Sequence, residues 1–175
     1  MAEQDLETRS GVGDEQGEEV QEERDTYLIF RLDQERYAVP VHKADEVVEY
    51  QKITFVPRSP DFLLGIINLR GQLVPVMDMR RRFGLDEGEV TDETRIMILN
   101  VVCGDEEIAL GVLVDEVSGV IDLNRSDIDP PPQFGTGAQE GVIQATARTS
   151  DGIVLVLDPD ALLTEEFLSE SFRNL

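Results

Sequence analysis

Gly65-Ile66-Ile67-Asn68-Leu69-Arg70-Gly71-Gln72-Leu73-Val74-Pro75-Val76-Met77-Asp78-Met79-Arg80 is the stretch on which the fold turns. Two apolar runs, 66–69 and 73–77, flank a tight turn at Arg70-Gly71. This is the pattern of a β-hairpin, with Gly71 supplying the positive φ that the turn requires. Asp78 is placed to cap a short helix that carries Met79 and Phe83 on one face and is closed by Gly84. Two readings of Arg70 stand at this point. It is an ordinary solvated turn residue, or its guanidinium, held on a rigid hairpin, is offered to the carboxylate of a partner.

Upstream, residues 27–32 are β-branched and aromatic, 33–36 form a turn, and 37–41 return as a strand. Residues 42–50 put Ala44, Val47 and Val48 at helical spacing, which predicts a helical element there. Pro57 and Pro60 break it, and Ser59-Pro60-Asp61 predicts a cap with proline at the first helical position.

Downstream, the same plan recurs. Tyr37-Ala38-Val39-Pro40-Val41 is echoed by Ile108-Ala109-Leu110-Gly111-Val112, and Asp45-Glu46-Val47 by Asp115-Glu116-Val117. Gly65-Ile66-Ile67 has its counterpart in Gly141-Val142-Ile143. The run from Leu73 to Asp78 matches Ile153-Val154-Leu155-Val156-Leu157-Asp158. Each half thus offers about five short strands and a brief helix, the pattern of a small barrel or sandwich. The expected fold class is all-β with short helices: two small five-stranded barrels packed on a shared apolar face. Residues 86–93, with five acidic residues in eight, are the expected junction. Pro130-Pro131-Pro132 and the following 133–137 are expected to be an extended loop, because consecutive prolines cannot join a central strand.

Residues 1–25 hold ten acidic and two basic side chains and little that is apolar. They bury too little surface to offset the entropy of ordering, so a disordered acidic tail is expected there. The folded domain is expected over 26–168, with 169–175 as a helix end or tail. The whole chain of 175 residues carries a net charge of −22. Such a field repels phosphate backbones and anionic membranes, which excludes nucleic acid as a partner. The run Arg80-Arg81-Arg82 is too short to reverse this and is expected to be a solvated helix face. No stretch approaches the ~18 apolar residues of a membrane span, and the acidic N-terminus does not resemble a secretory signal. A cytoplasmic protein without direct membrane insertion is expected, and the lone Cys103, in an apolar run, fits a reducing compartment.

The residues supply no catalytic constellation. There is one histidine, His42, and one cysteine far from it in sequence, so zinc-ligand spacing is absent. No phosphate-cradling glycine loop is present either. Carboxylates are so abundant that pairs such as Asp45/Glu46 carry no information alone. Asp78 reads as a cap rather than a phosphorylated aspartate, since no early acidic pair stands ready to hold Mg²⁺ beside it. The expectation is no enzyme activity, no metal and no cofactor. A small-barrel enzyme or regulator that binds a small ligand between the two halves is the alternative.

The segment Asn68-Leu69-Arg70-Gly71, with Pro75 and Asp78-Met79-Arg80, resembles the signature of the CheW-type chemotaxis coupling proteins. The stretch 27–50, the run Gly111-Val112-Leu113-Val114-Asp115-Glu116-Val117 and the triple proline share the likeness, which spans about 26–168. Met79 stands where leucine is usual. The resemblance implies two SH3-like barrels and a non-catalytic scaffold, monomeric when free and recruited to membrane-associated receptor arrays. It implies two partners: the cytoplasmic tip of a methyl-accepting chemoreceptor, and the regulatory domain of a CheA-type histidine kinase. Receptor contact is expected at Arg70, Asn68 and Gly71, with Val41, Ala44 and Glu46 nearby. Kinase contact is expected in the N-terminal half, around Tyr27, Val39, Ile53 and Val56.

Overall fold

The computed structural model describes residues 23–131 and 141–163. Strands β1 (Arg24–Leu32) and β2 (Glu35–Pro40) form a hairpin, a 3-10 turn covers Val41–Lys43, and β3 (Ala44–Glu49) follows. The quoted stretch forms β4 (Leu63–Leu69), β5 (Gln72–Asp78) and a one-turn helix α1 (Met79–Arg82). Then come β6 (Arg95–Cys103), β7 (Glu106–Val114), β8 (Glu116–Asn124) and the two-residue β9 (Ile128–Asp129). The last strands are β10 (Ile143–Thr149) and β11 (Gly152–Leu157), followed by a 3-10 turn at Pro159–Ala161.

The strands assort into two sheets, ordered β8-β1-β2-β11-β10-β9 and β3-β6-β7-β5-β4. They make two SH3-like subdomains. Exchanging each strand for its counterpart in the repeat (β1 with β6, β2 with β7, β3 with β8, β4 with β10, β5 with β11) turns the second order into the first five strands of the other. The second sheet therefore takes three strands from the first repeat and two from the second, and the first sheet takes two from the first repeat and four, with β9, from the second. Parallel pairing joins them, β5 to β7 and β11 to β2. The acidic connector 86–93 separates the two repeats but not the two sheets, since β5 before it and β6 after it belong to the same sheet. The chain passes between sheets at Val41–Lys43 and at Asp115.

This arrangement explains why the strands read as unbroken apolar runs. Alternate side chains point to opposite faces, and along β1, β2 and β6 both faces are covered. Leu28, Phe30 and Leu32 of β1 enter a large cluster that also holds Met77, Met97, Leu99, Val101 and Val112 of the second sheet. Tyr27 and Ile29 point the other way, into the first sheet's own interior with Ala147, Val154 and Val156. In the second sheet, Ile96 and Ile98 join Ile67, Val74 and Val76 in a third cluster. The core is thus one shared layer between two small interiors. Tyr37 sits in the shared layer between Phe30 and Phe83, at ring-centroid distances of 5.7 and 5.6 Å. Burial pushes its phenol pKa up to about 12.

Two predicted helical elements are corrected. Residues 44–49 are strand β3, hydrogen-bonded antiparallel to β6 from Ala44 opposite Leu99 to Glu49 opposite Arg95. A bulge between Ala44 and Glu46 shifts the register, so Ala44 packs on the shared layer and Val48 on the second sheet's interior. Burial alternates along the strand and Val47 is 39% exposed, so the helical spacing of Ala44, Val47 and Val48 does not mark one buried face. At Ser59-Pro60-Asp61 no helix forms. The Ser59 hydroxyl donates to the Val56 carbonyl at 2.8 Å and the Leu63 amide to Pro60 at 3.0 Å, so the chain turns directly into β4. Arg24 and Asp25, expected in the tail, are paired in β1 with Asn124 and Leu123 of β8. Residues 1–22, 132–140 and 164–175 lie outside the described residues, and with them most of the acidic tail, the later part of the proline loop and the C-terminal segment.

The two capping aspartates perform alike. Asp78 accepts from the Arg80 amide at 2.9 Å and Asp158 from the Asp160 amide at 3.1 Å. Two residues after each cap stands a charged side chain that ties the helical turn to a sheet crossing. Arg80 grips Asp115 through Nε and Nη2, at 2.9 and 2.6 Å, and the Asp33 amide donates to the same carboxylate at 2.7 Å. In the other half Asp160 accepts from Lys43 Nζ at 2.9 and 3.0 Å, and from the Val102 amide at 2.7 Å. Burial would raise the Asp115 carboxyl, but the Arg80 guanidinium and the Asp33 amide outweigh it and hold it below the usual range. Asp160 is held low in the same way by the Val102 amide and Lys43.

Candidate functional site

The β4–β5 hairpin presents the candidate site. Leu69 pairs with Gln72, leaving Arg70-Gly71 as a two-residue loop. Both have positive φ, 52° and 87°, the geometry that suits the right-handed twist of the flanking strands. Sequence reasoning assigned positive φ to Gly71 alone; Arg70 adopts it too, which aims its side chain from a fixed backbone. Asn68 locks the turn, its Oδ1 accepting from the Gly71 amide at 2.8 Å.

The guanidinium of Arg70 makes a two-pronged contact with Glu46, Nη1 to Oε2 at 3.0 Å and Nη2 to Oε1 at 2.6 Å. Glu46 lies on β3 and Arg70 at the end of β4, and β3 and β4 are the two edges of the second sheet. The pair therefore spans the seam between those edges. Arg70 stays 71% exposed at its side chain, whereas Glu46 is 25% exposed. A carboxylate arriving on a partner must share or displace an internal one.

The structure thus brings Arg70, Asn68, Gly71 and Glu46 into one contact. Ala44, half-buried, begins the same strand as Glu46, and Val41, 39% exposed, precedes it in the crossing turn. The four expected kinase-facing residues divide. Tyr27 and Val39 are 7% and 1% exposed and belong to the core, which corrects the expectation that they are docking anchors: β1 and β2 are covered on both faces. Ile53 packs partly on the second sheet's interior, and Val56 is half-buried. Sequence reasoning missed Phe55 between them, 72% exposed, and Leu73 beside the Arg70 turn, 64% exposed. The signal for Phe55 was available. Residues 50–60 hold Lys52 and Arg58 and no acidic residue in a chain of net −22. The Thr54 amide and carbonyl bond to Ile66 at 2.8 and 2.9 Å, fixing the base of that loop on β4.

Among the described residues no group of three or more His, Cys, Asp and Glu is arranged to hold a metal ion. No helix there is long and apolar enough to cross a membrane. The space between the two sheets is filled by Phe30, Leu32, Met77, Met97 and Leu99, none of them exposed, so it is not a ligand cleft between the halves.

Two exchanged sheets around a shared apolar layer, with an arginine hairpin on a rigid base, define a β-rich scaffold. The chain belongs to the CheW-like family, whose domain description matches residues 26–167. It is similar to the chemotaxis protein CheW of Bacillus subtilis (strain 168), 32% identical over 139 residues, covering 79% of this chain and 86% of the relative. Protein FrzA of Myxococcus xanthus is 33% identical over 125 residues, covering 70% and 76%. Among solved structures, the scaffolding protein TtCheW from Thermoanaerobacter tengcongensis superposes with a TM-score of 0.71 at 31% identity, covering 80% of this chain and 92% of that one.

Proposed function

We propose that the chain is a non-catalytic cytoplasmic adaptor that couples methyl-accepting chemoreceptor tips to the regulatory domain of a CheA-type histidine kinase. The observation that carries this reading is the Arg70 hairpin: a family signature held in a fixed turn, its guanidinium exposed and only provisionally engaged by Glu46. Arg70, Asn68, Gly71, Val41, Ala44 and Glu46 face the receptor. Asn68 serves by fixing the turn, and Glu46 by holding the guanidinium until a partner replaces it.

The kinase docks on the 50–60 loop, with Phe55 as the main anchor and Ile53 and Val56 as its support. Exposed aromatic anchors on a rigid base carry most of the energy of such contacts. A contact that must form and reorganise is of modest area, near or below ~1,200 Å² in total.

Co-sedimentation with receptor tip fragments and the kinase tests the reading. Arg70→Ala is expected to lose receptor coupling while still binding the isolated kinase domain, and Phe55→Ser the reverse. Retention of both contacts by both variants would sink the assignment. Because the anchor is apolar, raising salt should leave kinase affinity unchanged or strengthen it by screening repulsion. A steep loss of affinity in calorimetric titration at high salt would instead show an ion-pair interface.

A further inference from the structure

A cleft of about 410 Å³ opens at one end of the second sheet, where β3 ends and the 50–60 loop assigned above to the kinase begins. One wall is the end of β3, with Glu49 and the adjacent Tyr50; the other is the end of the acidic connector and the start of β6, from Val90 to Arg95. Glu49 stands opposite Arg95 in the β3–β6 register, so the base of the cleft is sheet.

Its second wall is rigid. Thr94 is the one buried polar side chain recorded among the described residues, and its hydroxyl accepts from the Thr91 amide at 2.9 Å. The Thr94 amide returns to the Thr91 carbonyl at 3.2 Å, and the Glu93 amide to the Thr91 hydroxyl at 3.2 Å. Arg95 braces the same turn, Nη1 donating to the carbonyls of Asp92 and Thr94 at 2.6 and 2.9 Å. A preformed cleft spares a ligand the cost of ordering it.

Its chemistry is specific. Tyr50 and Val90 leave apolar surface in water, 41% and 52% exposed. Glu49 and Asp92 line the cleft together with Arg95, whose guanidinium is turned to the Asp92 and Thr94 carbonyls. Asp86 and Glu89 extend the negative charge along the connector, where Glu87 pairs with Arg81 at 2.9 Å and Glu93 lies 3.8 Å from Arg31. Tyr50 and Val90 form an apolar patch in a lining otherwise made of Glu49, Thr91, Asp92, Thr94 and Arg95, and an apolar patch beside carboxylates complements an apolar side chain flanked by cations. The charge runs on along the connector, beyond the reach of a small molecule, so a polypeptide is the matching shape. We propose that this cleft binds a cationic segment of another protein, anchored by one aliphatic or aromatic side chain between Tyr50 and Val90.

The test titrates the isotopically labelled full chain, by nuclear magnetic resonance, with a synthetic peptide alternating arginine with leucine and tryptophan. Saturable shifts are expected at Tyr50, Val90, Thr91, Thr94 and Arg95. Replacing the peptide's leucine and tryptophan by serine at equal charge should weaken binding by at least ~10-fold, and replacing its arginines by glutamate should abolish it. Tyr50→Ser and Val90→Ser should each weaken the parent peptide by ~10-fold, whereas Ile153→Ser, at an exposed apolar residue of the first sheet, should not. Equal affinity for the serine peptide, or shifts scattered over the acidic surface, would overturn the proposal. The peptide comparison on the unaltered chain decides the matter even where a variant fails to fold.

Discussion

The two ties between helical turn and sheet crossing occupy equivalent places and carry opposite signs. In one, the helical turn supplies the cation (Arg80) and the crossing the anion (Asp115); in the other, the turn supplies the anion (Asp160) and the crossing the cation (Lys43). Duplication kept the contact and not the residues. What the fold requires at this point is a charge-assisted bond that also takes a backbone amide, from Asp33 in one case and Val102 in the other. The ties differ in shelter: Arg80 and Asp115 are 16% and 18% exposed, Lys43 and Asp160 23% and 34%. The better-shielded pair should matter more, because surrounding water weakens an ion pair.

Substitutions can break or sharpen that contrast. The largest effect should come from a residue both halves share: Phe30→Ala, emptying the common layer, should cost about 3–5 kcal/mol in denaturant unfolding and melt both sheets together. Separate transitions for the two sheets would show that the layer does not couple them. Arg80→Ala should cost about 2 kcal/mol, since it leaves the sheltered Asp115 only the longer pairing with Arg31, at 3.9 Å. Lys43→Ala should cost about 1 kcal/mol or less, reflecting the wetter site. Equal losses from the two would remove the difference in shelter as an explanation.

Acid titration separates the aspartates by sign. Asp115 and Asp160 are held low in the folded state, so the stability they add is present above the unfolded value of ~4 and is lost as pH falls through their folded pKa values. Asp78 is raised, chiefly by burial, although the Arg80 and Arg81 amides oppose it. Its contribution runs the other way, present below ~4 and lost as pH rises through its folded pKa. Asp115→Asn should therefore flatten the fall in stability toward acid, and Asp78→Asn, which keeps a capping side chain, should steepen it. The smallest effect on the fold should be that of Arg70→Ala. Its pair with Glu46 is solvated, so the melting temperature should hardly move while receptor coupling fails.

The hairpin, the caps and the repeat were legible in the sequence because each rests on local chemistry: glycine at a turn, an aspartate before a helical turn, alternating apolar residues. The exchange of strands between repeats was not, because the pairing of β5 with β7 and of β11 with β2 is long-range and leaves no mark on either strand alone. Tyr27 and Val39 looked like surface anchors for the same reason. An apolar residue on a strand covered on both faces cannot be told by composition from one left exposed. The Glu46 contact escaped notice because 24 residues and a seam separate it from Arg70.

The strand exchange also sets an order on biosynthesis. The second sheet uses β3 to β7, one uninterrupted stretch of chain, so it can close while the remainder is still being translated. The first sheet needs both ends of the domain. Its β1–β2 hairpin leaves the ribosome first, yet waits for β8 and β11 before its flanks are paired. For that interval Phe30 and Tyr37 depend on the nascent second sheet or a chaperone for cover, and Ile29, which faces the first sheet's own interior, on a chaperone alone. The earliest strands of this domain to be made are among the last to become native.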